Sequence, residues 1–280
     1  MPKVFIVIVH YSGLKDTKEC LKSLEKLDYS NYEIIVVDNS NNQEFNESVK
    51  TIKSKNNIGF AGANNLGIKY AMDNNADYVL LLNNDTIVDS KFLKKLVESN
   101  YDLCSPKIYY HDSKKVWFEA GKINLLYTNA KHVSSKKTQY ISGCCMLIKR
   151  KIIEEIGLMN EKYFLYFEDV DYCLKARKMG FKSNVVQDSI IWHKVSQSTK
   201  KGSFEHIYYN NRNRFLLCKE NANFFIKILV YKLSFLIFIK QLIKIVFNID
   251  RQYSKIILLA LTDFYKSKFG KYDKNRNSSI

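Results

Sequence analysis

Three short apolar runs, residues 4–9, 33–37 and 78–82, are spaced through the first 90 residues and leave the chain few folds to choose from. Each is rich in β-branched residues and nearly continuous in apolar side chains, as a strand covered on both faces must be. Helical stretches lie between them, so the order is that of repeated strand, helix, strand units in a parallel sheet. The first crossover helix is predicted to begin at Asp16, whose side chain caps it while Glu19, three residues on, completes a capping box. Later crossovers are predicted as helices over residues 64–74 and 91–99.

Residues 106–149 have weak periodicity and read as strands and loops on a mixed edge of the sheet. A further helix is predicted over residues 168–179, with Gly180 in the place of a C-terminal glycine cap. After about residue 205 aromatic, aliphatic and lysine residues dominate, above all over residues 224–249. Lys227, Lys232, Lys240 and Lys244 interrupt that stretch. The longest piece without a charge, residues 233–239, falls far short of the roughly 20 apolar residues that a membrane span needs. On a helix, Lys232, Lys240 and Lys244 fall in one sector and leave a broad apolar face. Such a helix lies on an anionic lipid surface or packs on the preceding domain.

A chain of 280 residues with 46% hydrophobic side chains can form a sizeable core, as one large domain or one domain with an appendage. Its formal net charge of +16 points to anionic partners such as phosphorylated substrates or an acidic membrane. Nucleic acid is not expected, since the lysines are dispersed and no binding motif is present. The six cysteines show no CxxC pair or zinc spacing and read as reduced and buried. The apolar run at residues 4–9 is too short for a signal-peptide core, so a cytoplasmic protein is expected.

Candidate functional residues gather at strand ends, where parallel α/β sheets place their ligands. Asp38 and Asn39 follow the second strand; a carboxylate there can accept from a pyrimidine imide or a ribose hydroxyl, or simply cap a turn. Residues 56–67 contain three glycines before a helix and can bring backbone amides close to a diphosphate. They match neither the dinucleotide fingerprint nor the P-loop. Asn83, Asn84 and Asp85 end the third strand, and Asp85 with a diphosphate would suit magnesium or manganese. Within residues 163–171 an aromatic run meets Glu168, Asp169 and Asp171. These carboxylates are either a general base among sugar-stacking rings or ordinary first-turn charge. His193, ending a short strand over residues 189–192, is a structural histidine or a metal ligand.

Taken in order, residues 8–11, 36–40, 57–67, 81–86, 142–143, 146–150, 167–171 and 192–193 resemble the family-2 glycosyltransferases, in particular their rhamnosyltransferase-like branch, and the tail segments 208–214 and 264–271, on either side of the apolar helix, match the family too. The resemblance implies an α/β GT-A fold: a Rossmann-like mixed sheet flanked by helices, with a C-terminal amphipathic helical extension. It implies a catalytic domain over residues 1–205, with donor binding in 1–100 and acceptor binding in 101–205, and a membrane-associating region over 206–280. Val9, His10, Tyr11, Asp38, Asn39, Gly59, Phe60, Asn64 and Asn84 are then expected to bind the nucleotide sugar. Asp85 and His193 would hold a divalent cation, Mn2+ or Mg2+. Asn83 stands where the family's aspartate-x-aspartate motif has its first acid. Asp169 would be the base, with Glu168, Asp171 and Trp117 supporting it or binding acceptor. The expected reaction is inverting transfer of a sugar, rhamnose or another hexose, from a UDP-, dTDP- or GDP-linked donor. The expected acceptor is a glycan or a lipid-linked molecule in cell-surface polysaccharide synthesis, at the inner face of the membrane. The alternatives are a non-catalytic nucleotide-sugar or glycan-binding module, and a sugar-phosphate nucleotidyltransferase, whose basic glycine-rich loop residues 9–13 do not supply.

Overall fold

The computed structural model describes residues 1–40, 45, 48–195 and 200–273. The three predicted strands are present as β1 (Val4–His10), β2 (Tyr32–Asp38) and, after a short β3 (Lys50–Lys53), β4 (Tyr78–Asn83). Helices α1 (Leu14–Leu24) and α2 (Gly59–Asp73) form their crossovers. There follow β5 (Thr86–Val88), α3 (Phe92–Glu98), β6 (Leu103–Tyr110), β7 (Val116–Phe118) and the hairpin β8 (Gly121–Asn124) and β9 (Asn129–His132). Next come β10 (Cys145–Lys149), α4 (Arg150–Ile156), α5 (Glu168–Lys178) and β11 (Ser183–His193). The chain continues as α6 (Phe204–Asn221), α7 (Phe224–Val246) and α8 (Arg251–Tyr265).

One sheet runs β3-β2-β1-β4-β10-β6-β11-β5, with β7 pairing off β6. β1 to β4 are parallel; β10 is antiparallel to both β4 and β6, β11 is parallel to β6, and β5 is antiparallel to β11. This is the expected mixed sheet with helices on its faces. The strand predicted over residues 189–192 is the end of the longer β11, whose register against β6 shifts between Val186 and Ile190.

Close packing of α2 on β1 rests on one glycine: a Cβ on Gly67 would lie 2.2 Å from Val7 Cγ1. Gly180, at φ +83°, ends α5 as expected. Phe181 N donates to Ala176 O and Gly180 N to Arg177 O, the two bonds of a Schellman turn.

Three expectations need correction. The capping box at Asp16 and Glu19 does not form: α1 begins at Leu14 behind a left-handed Gly13, without a side-chain cap. Both carboxylates instead pair with the ammonium of Lys194, Asp16 at 2.6 Å, because a cation is a stronger partner than a peptide amide. The second helix begins at Gly59, five residues before Asn64. Its opening amides find acceptors elsewhere, Gly59 N on Asn57 Oδ1 and Phe60 N on Phe164 O. Finally, a boundary after residue 205 cuts through the domain. Arg212 and Asn213 of α6 are buried, and Leu216 and Leu217 belong to the main core.

What stands apart is the pair α7 and α8, joined to α6 through a second apolar cluster that includes Phe215, Val230, Ile257, Leu261 and Phe264. The helix predicted over 224–249 is α7, and α8 follows it after a short turn. α7 fully buries only Val230, Ser234 and Gln241, leaving a row of large apolar side chains outside. Among the described residues no helix is long and apolar enough to cross a membrane.

Candidate active site at the carboxyl edge of the sheet

Strand register brings the first candidates together. His10 lies opposite Asp38 and Val9 opposite Asn83, so the ends of β2, β1 and β4 are level. Asp38 is fully buried; its Oδ1 accepts from the Ser40 amide at 3.0 Å and the Ser40 hydroxyl at 2.6 Å, while its Oδ2 is buried without a partner. Such an orphaned oxygen is costly unless a ligand donates to it. His10 packs on Phe45 and sits 2.8 Å from Thr17 Oγ1 through Nδ1. Burial holds its pKa below the usual histidine range, against the pull of Asp38. Of its neighbours, Val9 is half-buried and Tyr11 exposed.

Several of the residues expected to bind the donor are hydrogen-bonded within the protein. Asn39 Oδ1 accepts from Ile58 N, and its Nδ2 donates to Asn57 Oδ1 and Gly59 O. Asn64 Nδ2 donates to Phe60 O one turn back. Asn84 Nδ2 binds Ser12 O and Thr17 Oγ1, both at 2.9 Å. The amides of Ile58, Gly59 and Phe60 all have protein acceptors.

Asp85 and His193 do meet: Asp85 Oδ1 and His193 Nε2 lie 3.0 Å apart, both residues buried. The edge of Trp117 packs at 4.5 Å and 80° against His193, and His132 flanks the same indole at 4.8 Å. Among the described residues no cluster of three or more His, Cys, Asp or Glu side chains could hold a metal alone. The pair nevertheless suits part of a coordination shell, since adjacent ligands at about 2.1 Å on an octahedral ion sit about 3 Å from each other. Asn83 Oδ1 nearby is also buried without a partner.

Asp169 reaches this edge through the turn before β10. Gly143 N donates to Asp169 Oδ2 at 2.8 Å, and the next carbonyl, Cys144 O, accepts from Asn83 N. A Cβ at Gly143 would lie 3.3 Å from both Asp169 Cβ and the ring of Phe60, so glycine allows the close approach. Val170 N donates to Asp169 Oδ1. Burial raises the pKa of Asp169, and these two amides oppose the rise. Glu168 is more deeply buried, its Oε2 has no partner, and burial followed by the charge of Asp169 pushes it up to about 8. Asp171 faces elsewhere. It accepts from Asn221 Nδ2 at 2.6 Å and Tyr163 OH at 3.2 Å and pairs with Lys175, so it ties α5 to α6 and does not support the base directly.

The turn leading to Asp169 is strained. Phe164, Tyr166 and Phe167 all have φ between 62° and 74°, a conformation that costs such side chains on the order of 1–3 kcal/mol each. Its carbonyls are gathered by α6: Asn213 Nδ2 donates to Tyr163, Leu165 and Tyr166, and Arg212 Nη2 to Lys162 and Tyr163. On the other side Phe164 O accepts from Phe60 N, and Gly59, at φ +82°, lies so close that a Cβ would stand 2.4 Å from that oxygen. Sequence reasoning missed Arg212 and Asn213 as site residues. Their signal was the polar run Asn210 to Arg214 behind two tyrosines, which names no role for either residue until the helix is known to pack inward.

Residues 5–157 match the family model described as Glycosyl transferase family 2. A low-salt glycan biosynthesis hexosyltransferase of Haloferax volcanii is 29% identical over 231 residues, covering 75% of this chain and 74% of that protein. The dTDP-rhamnosyl transferase RfbF of Shigella flexneri is 24% identical over 78% of this chain and 80% of its own length. Among solved structures, a mannosyltransferase from Pyrobaculum calidifontis in complex with GDP-Man and Mn2+ superposes with a TM-score of 0.57 at 14% identity, over 95% of this chain and 88% of that one. GalNAc-T7 with UDP, GalNAc and Mn2+ gives 0.62 at 17% identity over 72% of this chain, which spans 45% of the GalNAc-T7 chain. At these identities the structures establish the shared GT-A-like fold.

Proposed function

The chain belongs to glycosyl transferase family 2, and on that premise we propose that it transfers a hexose, rhamnose included, from a nucleoside diphosphate to a hydroxyl of a glycan or lipid-linked acceptor in cell-surface polysaccharide synthesis, with inversion at the anomeric carbon. The observation that carries this reading is the convergence of Asp38, the Asp85 and His193 pair, and Asp169 at one edge of the sheet. The donor nucleotides named for similar proteins, UDP, GDP and dTDP, define the set to test.

In this reading Asp38 Oδ2 accepts from the donor base or ribose, which removes its orphaned state. Asp85 and His193 would hold a divalent cation together with diphosphate oxygens. When bound, that ion supplies neutralising charge for the departing diphosphate. Asp169 takes the acceptor proton while the acceptor oxygen bonds to the anomeric carbon and the bond from that carbon to the diphosphate oxygen breaks. A pKa raised by burial makes Asp169 a more effective base, and the Gly143 amide fixes its direction. Glu168, held protonated beside it, leaves a single negative charge in the pair.

The α7 face provides the reading for location. Phe225, Leu236 and Val246 are 76%, 65% and 79% exposed, on the side of the helix away from Val230, Ser234 and Gln241. Exposed Lys232 and Lys240 lie among them. An apolar face with lysines able to reach lipid phosphates, on a chain of net charge +16, fits an anionic membrane surface.

The test combines donor and base. Thermal scans against a panel of nucleotide sugars, with Mn2+ or Mg2+, should find at least one donor whose stabilisation requires the cation. Asp169→Asn should keep that stabilisation and lose turnover by roughly 10²–10⁴-fold. Near-normal turnover in Asp169→Asn, or product with the donor's anomeric configuration, would sink the mechanism.

A further inference from the structure

We propose that Arg212 and Asn213 are positioning residues for Asp169, and that α6 thereby belongs to the catalytic machinery. The proposal rests on the reading of Asp169 as base, and its structural half can be tested without that reading.

The geometry is closed on every side. Asn213 is fully buried, and its Nδ2 lies 2.7, 2.8 and 3.1 Å from the carbonyl oxygens of Tyr163, Leu165 and Tyr166. Its Oδ1 accepts from Arg212 Nε at 3.0 Å, which fixes the orientation of the carboxamide. Arg212 is buried too, with its guanidinium between the rings of Tyr208, Tyr209 and Phe269 and its Nη1 donating to Gly270 O at 2.8 Å. The two side chains therefore gather the carbonyls of a turn in which three of six residues are left-handed and none is glycine. Carbonyls oriented by left-handed residues converge only while donors hold them there. Phe167, the last of the three, precedes Glu168 directly, so any relaxation of the turn moves the first turn of α5 and with it the carboxylate on Gly143 N.

The hold extends to α8. Asp263 Oδ2 accepts from Tyr208 OH at 2.6 Å, and Tyr208 OH lies 3.5 Å from Arg212 Nη1. Tyr208 thus links a buried carboxylate of α8 to the guanidinium.

Asn213→Asp tests the idea with almost no change in volume, because a carboxylate cannot donate to three carbonyls. Two readouts apply. Amide hydrogen exchange over residues 162–170 should accelerate at least about tenfold, while peptides of β1 and β4 stay protected. With the donor identified by the thermal screen, kcat should fall about 10- to 100-fold while the donor's stabilising concentration stays within twofold. Tyr208→Phe, which keeps the ring and removes only the hydroxyl, covers the case in which Asn213→Asp does not fold; it should give the same pattern, with kcat lower by about threefold to tenfold. Unchanged exchange over 162–170 in a folded variant overturns the proposal, as does a kcat within twofold of the parent protein. Faster exchange in a protein that transfers no sugar even as the parent chain would instead overturn the function reading and leave the clamp standing.

Discussion

Glu168 and Asp169 are neighbours in sequence with unequal support: Asp169 accepts two peptide amides, whereas Glu168 Oε2 accepts none. The proton therefore rests on Glu168, whose folded pKa is pushed up to about 8, above that of the unfolded chain. Between the usual carboxylate range and pH 8 the folded protein binds the extra proton, so this residue's contribution to stability falls as pH rises through that window and levels off above it. Glu168→Gln should then gain Tm over the parent protein progressively from pH 5 to pH 8, at roughly 2–4 °C for each kcal/mol relieved. A Tm difference independent of pH would contradict this assignment. Much of the candidate site was legible at this scale because strand ends are legible: Asp38, Asp85 and His193 stand where apolar strand runs stop, while Asp169 was singled out by the family resemblance alone. Partners distant in sequence were not. Asp171 is taken by Asn221, fifty residues away, and Asp16 by Lys194, nearly the length of the domain away. A carboxylate's local context does not reveal which remote cation or amide will claim it.

At the scale of elements, α2 shows how one helix serves both core and site. Its N-terminus butts against the turn before Asp169 through Gly59 and Phe60, and further along Gly67 lets it settle onto β1. The side chain of Asn65 fastens the same helix to the segment before that turn, through Met159 and Glu161. Gly67→Ala puts a methyl into Val7 and should destabilise the fold by about 1–3 kcal/mol, read as an earlier midpoint in urea unfolding. Because Gly67 lies far along the helix from Gly59, the folded fraction should keep its kcat; a proportionate loss of kcat would mean that packing on β1 also sets the site. The sequence placed this helix too late because its opening residues, Gly59 to Ala63, carry no N-cap side chain. The first two amides, of Gly59 and Phe60, are satisfied by Asn57 and by a carbonyl a hundred residues further on. α5 was read almost to the residue, since the glycine that ends it acts locally.

For the whole molecule, the division that composition suggests and the one that packing makes differ. The shift toward aromatic and lysine residues begins near residue 205, yet α6 is core, and of the three C-terminal helices it is α7 and α8 that carry exposed large apolar side chains. This changes how the membrane proposal must be tested. Removing the chain from Phe224 onward would also remove Asp263 and Gly270, which bond Tyr208 and Arg212, so lost binding and lost catalysis would be confounded. The double substitution Phe235→Ser and Leu236→Ser, on the exposed face alone, avoids that. Each side chain contributes about 1.5–3 kcal/mol if buried in lipid, so co-sedimentation with phosphatidylglycerol vesicles should weaken at least tenfold. Binding of the parent protein should also decline with salt. Equal sedimentation of parent and variant would remove α7 from the membrane.

The bond from Arg212 to the carbonyl of Gly270 has a consequence in time as well as in space. A ribosome releases β1, β2 and β4 first, and these strands can assemble the edge that carries Asp38 and Asp85 early in synthesis. The turn that seats Asp169 waits for a helix made some fifty residues later and for a carbonyl made later still. On the proposed reading, the residues of the nucleotide end are made before those that lock the base, and the ability to activate an acceptor is among the last properties that translation confers.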